Sequence, residues 1–78
     1  MRILIAEDDA PLATVIAQAF KSEEHVTKVA PDGEDALHLM QKEMFDLLIL
    51  DLNLPIVSGS EVLQKVRSAD RDLSLIHI

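Results

Sequence analysis

Two uninterrupted aliphatic runs, Ile3 Leu4 Ile5 Ala6 and Leu47 Leu48 Ile49 Leu50, each stop at acidic residues: Glu7 Asp8 Asp9 after the first, Asp51 after the second. Runs of this length and composition are what strands covered on both faces of a parallel sheet look like, and parallel strands deliver their carboxyl ends to one edge. Acids from both runs are therefore expected in one crevice, at the edge where open α/β sheets bind ligands. Between the runs the period changes. Leu12, Val15, Ile16, Ala19 and Phe20 recur at helical spacing and predict a helix with one buried stripe; Pro11 suits its first turn and Asp9 its cap. His25 to Ala30 alternates weakly and predicts a shorter strand, ended by the turn signal Pro31 Asp32 Gly33. A second helix is predicted from about Glu34 to Glu43, with Ala36, Leu37 and Met40 inward. The third strand opens at Phe45 or Asp46 and runs to Asp51. Pro55 and Gly59 then enclose a loop, and Val62, Leu63 and Val66 predict a third helix ending near Ser68. The order is βαβαβα, and right-handed crossovers between parallel strands place helices on both faces of a doubly wound α/β sheet.

Composition narrows the chemistry. The 78 residues make one small domain at most, and doubly wound folds usually need more sheet than this, so an incomplete domain is expected. Apolar residues make up 49% with two Phe as the only aromatics, so the core must be aliphatic, while 27% charged residues is ordinary for a globular domain. The net charge of −7, from 14 acidic and 7 basic residues, argues against contact with a nucleic-acid backbone by this segment. With no Cys, a disulfide framework and a thiolate zinc site are excluded. Met1 Arg2 is followed by only four apolar residues before Glu7, too few for a signal peptide or a membrane span, and a cytoplasmic protein is expected. His25, His38 and His77 lack metal-ligand spacing, and Lys21, Lys28, Lys42 and Lys65 read as solvated charges. Clustered carboxylates without Cys or His favour a hard cation such as Mg²⁺.

From Asp51 the chain reads Asp Leu Asn Leu Pro Ile Val Ser Gly. An acidic pair closes strand 1, an Asp closes strand 3, Pro follows four residues later and Gly eight residues later. The Pro31 Asp32 Gly33 turn precedes a helix carrying Ala36 and Leu37. In this order and spacing the motifs resemble the receiver domain of two-component response regulators, the CheY-like family, over residues 1–72. The resemblance implies a flavodoxin-like sheet of strand order 2-1-3-4-5, of which strands 1 to 3 and helices 1 to 3 are present. It implies a phosphorelay signalling domain rather than an enzyme, with Asp51 accepting a phosphoryl group from a phosphohistidine on a sensor histidine kinase. A carboxylate attacks phosphorus only when its repulsion from the phosphoryl oxygens is neutralised, the task of a bound divalent cation. By resemblance Asp8 and Asp51 coordinate Mg²⁺ directly, the backbone carbonyl of Asn53 adds a third oxygen, and Glu7 acts through water. Asp9 lies outside the matching pair and is assigned to helix capping. The family's strand-4 Ser or Thr and strand-5 Lys are not among these residues, so a cation site is expected here and a switch is not. A downstream DNA-binding output domain, and hence a role in transcription regulation, is the further implication.

Residues 73–78 read either as the start of strand 4 or as the translation of a transposase adapter used in DNA library preparation. Without its neighbour, strand 3 would present an apolar edge, helices 1 and 3 would lack packing partners, and the monomer would be marginal. Such an edge suggests an alternative, a half-domain acting as a non-enzymatic module that pairs with complete receivers. A Mg²⁺-dependent phosphotransferase of the haloacid dehalogenase type also uses a strand-end Asp. Its nucleophile closes the first strand with a second Asp two residues on, whereas here the candidate closes the third and residue 53 is Asn.

Overall fold

The computed structural model describes residues 1–51, 54–68 and 74–77. The elements run β1 (Arg2–Ala6), α1 (Ala10–Lys21), β2 (Val26–Ala30), α2 (Gly33–Lys42), β3 (Leu47–Leu50), α3 (Gly59–Ser68) and β4 (Ser74–His77). All strand pairs are parallel, in the order β2-β1-β3-β4. β1 is central, with Ala6 beside Ala30 on one side and Leu50 on the other. This is the doubly wound parallel sheet that the alternating apolar periods predict.

The aliphatic strands divide their side chains between two layers, as a period of two requires. Leu4, Ala6, Leu48 and Leu50 join Ala36, Met40, Val62 and Val66 under α2 and α3. Ile3, Ile5, Leu47 and Ile49 meet Ala13 and Ala17, with Ile16 and Phe20 packed alongside, under α1. β1 is buried from Ile3 to Ala6 and β3 along its whole length, so neither strand shows the polar alternation of a half-exposed sheet. Helix ends follow local chemistry. Asp9 caps α1 by accepting from the Leu12 N–H at 3.1 Å, and Asp32 caps α2 by accepting from the Asp35 N–H at 2.8 Å. Ser58 stands before α3 with its Oγ accepting from the Glu61 N–H at 3.2 Å.

Two expectations are corrected. The buried stripe of α1 is Ala13, Ile16, Ala17 and Phe20, whereas Leu12, Val15 and Ala19 are exposed. Small residues at 13 and 17 let the helix axis lie close to the sheet, and that contact sets the rotation. The apolar edge expected on β3 is also absent: Ser74–His77 pairs with it from Leu47 to Leu50. A partner strand of any origin satisfies the backbone groups that β3 would otherwise present. In this order the edge strand on that side is β4, and α1 packs on β1 and β2 while α3 meets α2.

At the end of the sheet opposite the acids, Glu43 ties three segments together. It accepts from Arg2 Nη2 and, at 2.5 Å, from Lys28 Nζ, while the Arg2 guanidinium also donates to the Met44 carbonyl and lies 5.7 Å above the Phe45 ring. Hydrogen bonding from Lys28 holds the Glu43 carboxyl below the usual carboxylate range. Lys28, read from sequence as a solvated charge, is thus part of this ion pair, and His25 sits with Nδ1 3.0 Å from the terminal amine of Met1.

Candidate functional site

The acids meet because the ladder continues past the strand ends. Ala6 pairs with Leu50, and the Asp51 N–H donates to the Ala6 carbonyl at 3.0 Å, which places Asp51 beside Glu7. On the other side the Glu7 N–H donates to the Ala30 carbonyl at 3.0 Å. The backbone at the carboxyl edge is therefore held by both neighbours of β1. Glu7, Asp8 and Asp51 bring carboxylate oxygens within 4.8 Å of one another. Among the described residues this is the one cluster of His, Cys, Asp or Glu with the proximity to hold a metal ion.

The three carboxylates occupy different environments. Glu7 is 4% exposed, Asp51 half-buried and Asp8 exposed. Burial pushes the Glu7 carboxyl above its ordinary value; the Asp9 N–H it accepts pulls the other way, and the negative charges of Asp51 and Asp8 push it further up. A cation placed among these oxygens would relieve both the desolvation and the repulsion. The donor set is all oxygen, which suits a hard cation. Asp9 points its side chain to its helix instead, as the capping assignment expects. Asn53 lies outside the described residues.

The loop after the site has a pinned form. Leu54 is buried and Val57 packs on the layer under α2 and α3, whereas Pro55 and Ile56 between them are exposed. Ile56 has φ 68°, a left-handed conformation that a β-branched residue rarely adopts. Gly33, read from sequence only as part of a turn, packs its Cα directly against the Val57 carbonyl, and its N–H donates to the Pro55 carbonyl at 3.3 Å. The only signal of this contact in the sequence is a glycine directly after the capping Asp32.

The family model described as "Response regulator receiver domain" matches residues 3–78. The transcriptional regulatory protein TctD of Salmonella typhimurium is 36% identical over 76 residues, which is 97% of this chain and 34% of that protein. Among solved structures, a Francisella response regulator receiver domain superposes with a TM-score of 0.92 at 29% identity, covering 97% of this chain and 63% of that one. TrrA of Thermotoga maritima, a response regulator in complex with Mg²⁺ and BeF, gives a TM-score of 0.90 at 30% identity, covering 97% and 66%. The chain belongs to the response regulator receiver-domain family of two-component systems. It spans about a third of the length of the curated relatives it matches. Receiver domains are signalling domains that bind Mg²⁺ at acidic residues and interact with histidine kinases or phosphotransfer proteins. Among the described residues, no helix is long and apolar enough to cross a membrane.

Proposed function

We propose that the chain is the phosphoacceptor module of a response regulator, phosphorylated on Asp51 by a sensor histidine kinase in the presence of Mg²⁺. The observation that carries this reading is the meeting of the Glu7, Asp8 and Asp51 carboxylates, from two neighbouring strand ends, with oxygens within 4.8 Å. Asp8 and Asp51 would hold the cation directly, Asn53 through its backbone carbonyl and Glu7 through water. Bound there, Mg²⁺ supplies positive charge that offsets repulsion between the acceptor and the incoming phosphoryl oxygens. The chain's own residues do the rest. A carboxylate oxygen of Asp51 forms the new bond to phosphorus; the P–N bond of the phosphohistidine breaks, and its electron pair stays on the imidazole, which takes up a proton. Asp51 is half-buried, within reach of a partner's side chain, and its N–H bond to Ala6 fixes its backbone as it reacts. Glu7, buried and tied to the Asp9 N–H, keeps negative charge at the back of the site.

On this reading the module is a signalling acceptor, not an enzyme turning over a free substrate, and it works in the cytoplasm beside its kinase. Its relatives include transcriptional regulatory proteins, which supports a DNA-binding output domain downstream. The acidic segment itself makes no nucleic-acid contact. We also propose that these 78 residues take up phosphate without switching, since the strand-4 hydroxyl and strand-5 lysine that the resemblance calls for are not among them. Treatment with a small acyl phosphate and Mg²⁺, followed by mass mapping, tests the acceptor. Asp51→Asn is expected to abolish labelling with the fold retained; labelling that persists in this variant moves the acceptor elsewhere.

A further inference from the structure

The site's outgoing loop is held by a residue on another element, Gly33 at the start of α2. A Cβ built on Gly33 would stand 1.7 Å from the Val57 carbonyl oxygen and 2.6 Å from its carbon. Both are backbone atoms, so the conflict cannot be relieved by turning a side chain. Loop and helix must separate. Leu54 and Val57 anchor the loop in the core on either side of Ile56, whose φ of 68° takes up the constraint. That conformation costs about 1–2 kcal/mol for a non-glycine residue, and such strain persists where surrounding contacts over-determine it. The contacts here are the two apolar anchors and the Gly33 N–H bond to the Pro55 carbonyl.

We propose that Gly33 is a positioning residue for the Asp51 reaction. Its missing side chain sets how closely the β3–α3 loop, residues 54–58, approaches the start of α2, and through that loop the placement of the acceptor. The inference rests on Asp51 as phosphoacceptor and adds a residue on another element that governs its placement. The Asp51 N–H bond to the Ala6 carbonyl ties its backbone to β1, and the clamped loop has its first apolar anchor three residues further on, at Leu54. Displacing reacting groups by about 1 Å is enough to cost ~100-fold in rate.

The test compares the chain with Gly33→Ala, Ile56→Pro and the double variant Gly33→Ala/Ile56→Gly. Initial rates of Asp51 labelling by a small acyl phosphate are measured at saturating Mg²⁺. Backbone amide spectra are recorded without donor or metal. Gly33→Ala is expected to shift the amides of residues 54–58, leave those of β1 in place and slow labelling ~10-fold or more. Ile56→Pro attacks the same loop from an exposed position, where burial is not at stake, and should slow labelling similarly because proline cannot take a positive φ. Adding Ile56→Gly to Gly33→Ala should return much of the rate, since glycine can absorb the carbonyl's retreat where isoleucine cannot. That recovery is a readout that mere destabilisation of α2 would not produce. Wild-type rates in Gly33→Ala or in Ile56→Pro overturn the proposal, as does a slowed Gly33→Ala that Ile56→Gly leaves unchanged. Failure of the wild-type chain to label on Asp51 overturns the phosphoacceptor reading itself, and with it this one.

Discussion

Glu7 is the residue whose behaviour the sequence left least defined. It closes a strand beside two other acids, and the fold buries it, so its carboxyl titrates above its ordinary value of 4.5. A raised carboxylate pKa means the native state holds its proton more tightly than the unfolded chain. Glu7 therefore lowers stability as pH rises from about the ordinary value through the raised one, with the full cost present above it. Glu43 has the opposite sign: its lowered value contributes stability above 4.5 that is lost as pH falls through the folded pKa. Melts in chelator across pH 3–8 should show Glu7→Gln raising the midpoint at neutral pH and Glu43→Gln lowering it there while flattening the acid-side loss. The same Glu7→Gln should bind Mg²⁺ more weakly, seen as a smaller rise in melting temperature on adding the cation. Equal Mg²⁺ stabilisation in wild type and Glu7→Gln would remove Glu7 from the cation site.

At the level of elements, burial separates residues that the apolar pattern treats alike. Leu48 is wholly buried between β1, β4 and the layer under α2 and α3, whereas Val15 is 64% exposed on α1. Leu48→Ala is expected to cost ~2–5 kcal/mol, out of a total of about 4–12 kcal/mol for a chain of this size. Val15→Ser should stay within ~0.5 kcal/mol. Denaturant unfolding distinguishes them, and a large loss from Val15→Ser would mean that α1 is rotated from the position described. The helical period of α1 was legible, but its phase was not. Leu12, Val15 and Ala19 form as regular a stripe as Ala13, Ile16, Ala17 and Phe20. Only the close approach of the helix to the sheet selects the stripe with small residues.

For the molecule as a whole, the topology creates the site. With β1 central and β3 beside it, acids 44 residues apart in the chain become neighbours at the carboxyl edge. Pairing of β4 with β3 asks chiefly for backbone donors and acceptors, so it is indifferent to whether residues 73–78 are the family's fourth strand or a translated adapter. Resequencing the source DNA across the codons from Asp72 onward decides this. A frame that continues into a strand ended by Ser or Thr, and later one ended by Lys, is expected if the adapter supplied residues 73–78. A stop codon directly after Ile78 would make the 78-residue chain the natural product.

By itself the sequence determined the kinds of element, their order, the helix cap at Asp9, the turn at Pro31 to Gly33, and the placing of acids at two strand ends. These are local properties: apolar period, capping chemistry and the stop signals after each run. It also carried the family motifs, because those are fixed spacings along one chain. What only the tertiary structure decided is how the elements face one another. Which side of each buried strand meets α1, why Glu7 rather than Asp8 loses its water, how β3 acquires a second neighbour, and why residue 33 admits no side chain all depend on contacts between segments distant in sequence. A run of apolar residues carries no mark of its two faces, and a glycine carries no mark of the carbonyl that will rest against it.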